Sequence, residues 1–403
     1  MKQLLRPLVA LGASLTLLGL AGCGVSSHLN GDHVGTLQAK GQTETRKQVR
    51  LTFRAPSQLK DMGAHGVDLF ENVDMAKGTV DALVTPKGEA YLKRLGIRYT
   101  VTMTAAQIGV KGFPRGYHTL ASLTSELQAV AAAHPDIVHL QTIGHSLENR
   151  PITAVEITSH PGAGLPSVMI NSGQHARELP PVELTTRLIH LLAESYGKDS
   201  NITKLVDGRD IWIVPVVNPD GRTRVEQNDS MWRKNVRDNG DGTMGVDTNR
   251  NADDHFSEGD RDGGADDFGG ASPFSEPEAQ AMRDLCLQHH FAVSLDIHNY
   301  SGMVLWPPGY DNSTTKDDAA FHKIGDHMAQ HIGYKAGTIA RTIYNTYGDL
   351  ATWEYDALGT LAFAAELDDP NFNPPFSQVD SDWKAWKDNL VYLISVSDNP
   401  RGQ

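Results

Sequence analysis

His175-Ala176-Arg177-Glu178 places an imidazole and a carboxylate three residues apart, a spacing at which a helical turn or tight loop aims both side chains the same way. Nitrogen and carboxylate oxygen donors converging in this manner suit a zinc ion. The chain holds two other His-x-x-Glu pairs, His145/Glu148 and His255/Glu258. The middle pair follows an apolar run, Val168-Met169-Ile170, that reads as a short buried strand. Only it precedes Pro180 and an apolar-periodic segment, reaching to about Tyr196, that reads as a helix. His255/Glu258 lies in a polar loop with no strand before it, and His145/Glu148 belongs to an early turn. His298, directly after Ile297, is the natural third ligand. Two histidines and one glutamate leave a position for water, the arrangement of a catalytic rather than a structural zinc. Another divalent ion stays open as an alternative.

The elements that must position these residues alternate in the manner of an α/β domain. Strands are expected at Ile137–Ile143, Ile152–Ile157, Val168–Ile170, Ile211–Val217, Ala292–Ile297 and Leu361–Ala365, with a helix over Leu120–Ala133. His175 and Glu178 follow one strand, and Asn218-Pro219-Asp220-Gly221 caps another. His298 follows a third, and Glu366 ends the last. Ligand sites in open α/β sheets lie beyond the carboxyl ends of the strands, so the four polar clusters point to one edge of one sheet. Ahead of this domain, Val49–Phe53, Thr79–Val84 and Ile97–Val101 read as strands, with helices at Ala55–Met62 and Lys87–Leu95. That is a small α+β module without a candidate catalytic cluster.

The 403 residues suffice for one large domain and a smaller one. A formal net charge of −13 excludes phosphate-backbone binding as a main role, so no nucleic-acid partner is expected. Lys2 and Arg6 precede an uncharged apolar stretch from Pro7 to Leu20, too short to span a bilayer comfortably and suited to a signal-peptide core. It ends in Leu20-Ala21-Gly22-Cys23, which resembles a bacterial lipobox with Cys23 as the lipidated residue. The expected divisions are therefore a signal peptide at 1–22, a tether at 23–48, the module at 49–104, a linker at 105–115 and the catalytic domain at 116–400. Localisation is expected in the cell envelope, through a lipid anchor on Cys23, or outside the cell. The second cysteine, Cys286, sits in a helix-like apolar pattern and reads as a buried thiol.

From about Tyr117 to about Asp398 the chain resembles a zinc metallocarboxypeptidase of the carboxypeptidase A/B family. The resemblance is carried by short segments in that family's order. They are Ile143-Gly144-His145-Ser146-Leu147-Glu148-Asn149-Arg150, Gly173-Gln174-His175-Ala176-Arg177-Glu178, Val217-Asn218-Pro219-Asp220-Gly221 and Trp232-Arg233-Lys234. Gly245-Val246-Asp247-Thr248-Asn249-Arg250-Asn251, Phe274-Ser275-Glu276-Pro277-Glu278, Asp296-Ile297-His298-Asn299-Tyr300, Ile343-Tyr344 and Ala365-Glu366-Leu367 complete the series.

The resemblance implies a mixed, mostly parallel central sheet flanked by helices, one catalytic zinc ion, and peptide or protein C-termini as substrate. It implies that Asn249 and Arg250 grip the free C-terminal carboxylate, for which a guanidinium fork suits better than an ammonium. It implies Arg233 as the group that polarises the scissile carbonyl, Tyr344 as a cap over bound substrate and Arg177 as a secondary contact. Glu366 is the implied general base. The side-chain pocket would comprise Leu305, Gly309, Ile339, Thr346, Asp349, Ala351 and Ala364. Members preferring basic residues carry an acid where Ala351 stands, so an apolar preference is expected, with Asp349 leaving the question open. The unit at 49–101 occupies the place of the family's inhibitory pro-region. A peptidase acting on cell-wall peptides and a non-enzymatic binding lipoprotein are the competing readings. Oligomeric state is not legible, and the acidic loop Asp253–Asp267 reads as a solvated excursion with calcium binding left open.

Overall fold

A computed structural model describes residues 45–108, 112–227 and 229–402. The signal peptide, Cys23 and nearly all of the tether lie outside the described residues, as does part of the linker. No helix among the described residues is long and apolar enough to cross a membrane.

Four strands form the first sheet: β1 (Lys47–Thr52), β2 (Val67–Leu69), β3 (Thr79–Val84) and β4 (Arg98–Met103). Their order is β2-β3-β1-β4 with every pairing antiparallel. Helix Pro86–Leu95 begins where Thr85 Oγ1 accepts the Gly88 N–H at 3.1 Å and ends at Gly96, whose φ of 67° suits a residue without Cβ. The expected helix over Ala55–Met62 is instead a 3-10 turn at Pro56–Leu59, followed by a second at Gly63–His65. β2 was not expected, because three residues are too few to show alternation. The apolar side chains of this sheet, among them Val49, Leu51, Val80, Ala82 and Leu92, form one cluster with Met303, Leu305, Ile339 and Ile343 of the larger domain. Module and domain therefore share a core.

The larger sheet contains β5 (Val138–His145), β6 (Pro151–Ile157), β7 (Ser167–Ser172), β8 (Asp210–Val214), β9 (Val293–Asn299), β10 (Met303–Trp306), β11 (Lys335–Thr338) and β12 (Leu361–Leu367). The order is β11-β10-β12-β9-β7-β8-β6-β5. Four neighbouring pairs are parallel, β11/β10, β12/β9, β9/β7 and β7/β8, and the other three antiparallel. The mixed, mostly parallel sheet expected from the resemblance is present. Six of its strands were legible in the sequence. β10 and β11 were not, being four residues each and, in β11, carrying Lys335 and Gly337 in place of an apolar run.

Alternation decides the layers. Val168 and Ile170 of β7, with Ile211 and Ile213 of β8, pack into one core against helices Pro180–Ser195 and Ser377–Val396. Met169, Trp212 and Val214 point the opposite way, into a second core with Met282 and Leu285 of helix Pro277–His289. A sheet covered on both faces needs apolar residues at successive positions, which explains the short unbroken hydrophobic runs. β9 breaks this rule informatively. Val293, Leu295 and Ile297 join the first core, whereas the other face carries Ser294, Asp296 and His298. The chain leaves β7 toward β8 on one side and later enters β9 on the other, so a crevice opens between them at the switch point.

Candidate metal centre and active site

β7 ends at Ser172, and Gly173 turns the chain with φ of 68°. A Cβ there would approach Pro215 O and Val216 Cα at 3.1 Å each, so both the dihedral and the space favour glycine. The Asn218 stretch holds this turn from below. Asn218 N–H donates to Gly173 O (3.0 Å), its Nδ2 to Gln174 O (3.0 Å), and its Oδ1 accepts from Gly221 N to cap helix Pro219–Glu226. Asn218-Pro219-Asp220-Gly221 is thus scaffold for the histidine loop. Ala176 N–H donates to Arg233 O at 2.9 Å, which ties that loop to the segment carrying the arginine.

The result is a convergence of buried donors. Nδ1 of His175 lies 2.9 Å from Glu178 Oε1, and Nδ1 of His298 lies 2.9 Å from Glu178 Oε2. One ligand atom from each of the three residues lies within 4.8 Å of the others. The opposite ring nitrogens face carboxylates: Nε2 of His175 is 3.3 Å from Asp247 Oδ1, and Nε2 of His298 is 2.8 Å from Asp296 Oδ2. At His298, an N–H held by the carboxylate on one ring nitrogen leaves the other nitrogen's lone pair for a metal and raises its basicity, whereas His175 Nε2 meets Asp247 at ion-pair distance only. The donor set, its enclosure and its outer carboxylates all fit zinc.

Asp247 and Asp296 were not recognised as part of the site from sequence. The signal for Asp296 was available, since it stands two residues before His298 on the same strand face. Its carboxylate also accepts from Asn171 Nδ2 (2.7 Å) and from Gln174 Nε2. Asp296→Asn, which would weaken the hold on the imidazole N–H, is expected to lower zinc affinity about 10- to 100-fold. Competition against a metallochromic chelator reads this directly.

The remaining candidates surround the same point. Glu366 pairs with His298 across β12 and β9, and its Oε2 is buried without a hydrogen-bond partner. Burial, then the neighbouring Glu71 carboxylate, holds the Glu366 carboxyl well above the usual range. Arg233 is buried, with Nε and Nη2 each 2.9 Å from Asp247 Oδ2. Asn249 Nδ2 lies 3.2 Å from His298 Nε2, and Arg250 Nη1 donates to Asn249 O at 2.7 Å. Arg177 is fully buried between the rings of Phe70 and Phe372, 5.1 and 4.2 Å from their centroids. Tyr344 and Arg250 line a common cavity with Arg233. Asp349, left open as a pocket acid, accepts from Thr346 Oγ1 (2.7 Å), Thr352 Oγ1 (3.0 Å) and Thr352 N (2.9 Å) as the N-cap of a short helix. Both its oxygens are already occupied.

Two module acids enter the site, and neither was foreseen. Asp68 Oδ2 accepts from Arg177 Nη1 at 2.6 Å. Glu71 Oε1 lies 3.3 Å from Arg233 Nη1 and 3.5 Å from Tyr344 Oη. Both acids are buried.

Behind the metal ligands, Asn299 Nδ2 donates to Asp369 Oδ2 at 2.9 Å. Asp369 also meets Asp382 from helix Ser377–Val396. Burial, then the mutual repulsion of the pair, pushes Asp369 up to about 8, and burial above all pushes Asp382 up to about 6. Folded-state values raised above the unfolded ones mean that stability, full at acid pH, is lost as pH rises through this window. Asp382→Asn, which keeps a hydrogen-bonding partner for Asp369 but removes the second charge, is expected to narrow the Tm difference between pH 5 and pH 9 by about 2 °C or more. Thermal melts at the two pH values provide the check.

A family model described as zinc carboxypeptidase, peptidase M14, matches residues 123–389. Carboxypeptidase A2 of Rattus norvegicus is 31% identical over 272 residues, covering 64% of this chain and 63% of that enzyme's length. A zinc carboxypeptidase of Simulium vittatum is 33% identical over 297 residues, 70% of this chain and 96% of the other. In structure, carboxypeptidase A from Helicoverpa armigera superposes with a TM-score of 0.77 at 24% identity, over 88% of this chain and 98% of that one. Thrombin activatable fibrinolysis inhibitor gives 0.74 at 23%, over 88% and 100%. With a matched segment that runs from the helix before β5 into the last helix and encloses every residue of the histidine–glutamate centre, the chain belongs to the zinc carboxypeptidase family.

Proposed function

We propose that this protein hydrolyses the C-terminal peptide bond of peptides and proteins and releases single amino acids. The observation that carries the reading is the placement of Glu366 beside His298 on adjacent strands, with its free carboxyl oxygen in the site that also holds Arg233. His175, Glu178 and His298 would hold the metal. Zinc there supplies a lowered water pKa and Lewis-acid polarisation of a carbonyl.

Each residue has a task the geometry suits. Asn249 and Arg250 take the terminal carboxylate, and Tyr344 closes over the bound residue. Glu366 accepts a proton from the attacking water as its oxygen adds to the carbonyl carbon. The same carboxyl then delivers that proton to the departing amine nitrogen as the C–N bond breaks. Arg233, held by Asp247, donates to the carbonyl oxygen as negative charge develops there. Arg177 contacts the substrate further along. With Asp349 saturated by threonine hydroxyls and Ala351 in place of an acid, the side-chain pocket favours apolar residues.

The module is read as inhibitory, since Asp68 and Glu71 occupy Arg177 and Arg233. Cleavage near Lys111 to Arg115 would release it, and a fully active protein with an intact N-terminus would refute that step. Export, with an anchor on Cys23, remains part of the proposal.

The test is a panel of peptides ending in Phe, Leu, Arg, Lys or Glu, each with a free or amidated C-terminus. The protein is cut within the linker, and products are read by mass spectrometry with and without chelator. Chelator-sensitive loss of single residues from free C-termini supports the proposal. Silence from a zinc-loaded protein overturns it in favour of wall peptides or a binding role.

A further inference from the structure

Asp369, just past the end of β12, and Asp382 of helix Ser377–Val396 are 5% and 3% exposed. Each carboxylate receives one neutral amide donor. Asp369 Oδ2 accepts from Asn299 Nδ2 at 2.9 Å, and Asp382 Oδ1 accepts from Gln378 Nε2 at 3.1 Å. The second oxygen of each acid, Asp369 Oδ1 and Asp382 Oδ2, is buried without a hydrogen-bond partner. No cation stands at ion-pair distance from either acid among the described residues. Arg187 acts on Asp382 only from further off, since its Nη2 donates to Asp380 Oδ1 at 2.7 Å. A third acceptor, Asn299 Oδ1, is likewise buried and unpartnered. The carbonyl oxygens of Asn371 and Phe372 lie 3.3 and 3.4 Å from the same amide's nitrogen. All three orphans are oxygens, so no pairing among them is satisfied without an added proton or cation.

We infer that Asp369, Asp382 and the Asn299 side-chain oxygen form a second cation site, which takes a hard divalent ion and calcium in particular. A donor set of oxygen alone, without imidazole or thiolate, favours calcium or magnesium over zinc. Two carboxylates balance a charge of two, which offsets the cost of burying them unpaired. Carbonyl and amide oxygens in irregular geometry suit calcium, whereas magnesium demands an octahedron. The competitor is a proton held by the pair, since burial and the Asp382 charge push Asp369 up to about 8. The position gives the ion a task. Asn299 directly follows the metal ligand His298 on β9, and Asp369 lies shortly after Glu366. An ion here ties both strand exits to the last helix.

The experiment uses the full zinc-loaded chain at pH 9, where the pair has released its proton, in buffer freed of calcium on a resin. Calcium chloride at about 1 mM is expected to raise Tm by about 3 °C or more, and magnesium by less than half as much. Terbium, a calcium stand-in excited through aromatic rings, should luminesce and be displaced by calcium. Tyr117 is a suitable antenna, since its hydroxyl is held up by burial and then by the Asp369 charge. Asp382→Asn should abolish both responses, and Asp369→Asn serves equally if the first variant does not fold. Asp260→Asn with Asp262→Asn, in the acidic loop, should leave both responses intact. A calcium response that survives Asp382→Asn overturns the inference, as does one lost in the loop variant, which would place the ion in the loop. An unaltered protein whose Tm and luminescence ignore calcium holds only a proton at this pair, and the inference fails. The measurements on the unaltered protein and the loop variant stand even if neither site variant folds.

Discussion

Glu366→Gln is expected to lower kcat by about 10²–10⁴-fold, the usual worth of a positioned general base, with zinc content unchanged. The substitution alters neither length nor volume much, and the native Oε2 has no partner that an amide would lose. Glu366 is not among the three residues whose donors converge on the metal position, so their affinity should persist. What disappears is the only function an amide cannot perform, reversible proton uptake. KM should move little, because Asn249 and Arg250, the proposed contacts of the terminal carboxylate, are untouched. Metal analysis alongside steady-state kinetics on the cut protein separates the two effects. Turnover within tenfold of the unaltered protein would exclude Glu366 as the base.

Arg233→Ala is expected to cost about 10²–10³-fold in kcat/KM, the range for loss of one donor to a developing oxyanion. The guanidinium is held in advance: Nε and Nη2 lie on Asp247 Oδ2, and Nη1 points to where Glu71 now sits. Asp247 also faces His175 at 3.3 Å, so the same acid lies against a proposed metal ligand and the proposed oxyanion donor. Arg233→Lys should recover little, since one ammonium cannot hold Asp247 with two donors and present a third to substrate. The loss should appear in kcat more than in KM, because the contact strengthens as charge forms. An unchanged kcat in a variant that retains zinc would remove Arg233 from the reaction. The substitution also strands Glu71 without a cation, so the module should dissociate more readily after linker cleavage. Size-exclusion chromatography of the cut protein would show this.

Much of the centre was legible because metal chemistry admits few residue types and the sheet exposes strand ends. His175 and Glu178 after one apolar run, His298 after another and Glu366 closing a third required only local pattern and the rule that sites gather at carboxyl ends. The alternation in Val293-Ser294-Leu295-Asp296-Ile297-His298 even contained the outer carboxylate, though it went unread. Chain neighbours carry such information because strand geometry ties side-chain direction to position.

Tertiary structure alone decided what depends on contacts between distant segments. Asp247 reaches both His175 and Arg233 from a loop of irregular backbone, where no period reports direction. β10 and β11 are strands through their pairing with β12 and with each other, not through their own residues. Asp349, suspended in sequence between pocket charge and solvated acid, became a helix cap once Thr346 and Thr352 closed around it. Asp68 and Glu71, unremarkable acids in a small module, acquired meaning only when the fold brought Asp68 against Arg177, 109 positions further along the chain. Sequence by itself determined which groups could do the chemistry. Long-range packing determined which of their charges are held, and by which partners.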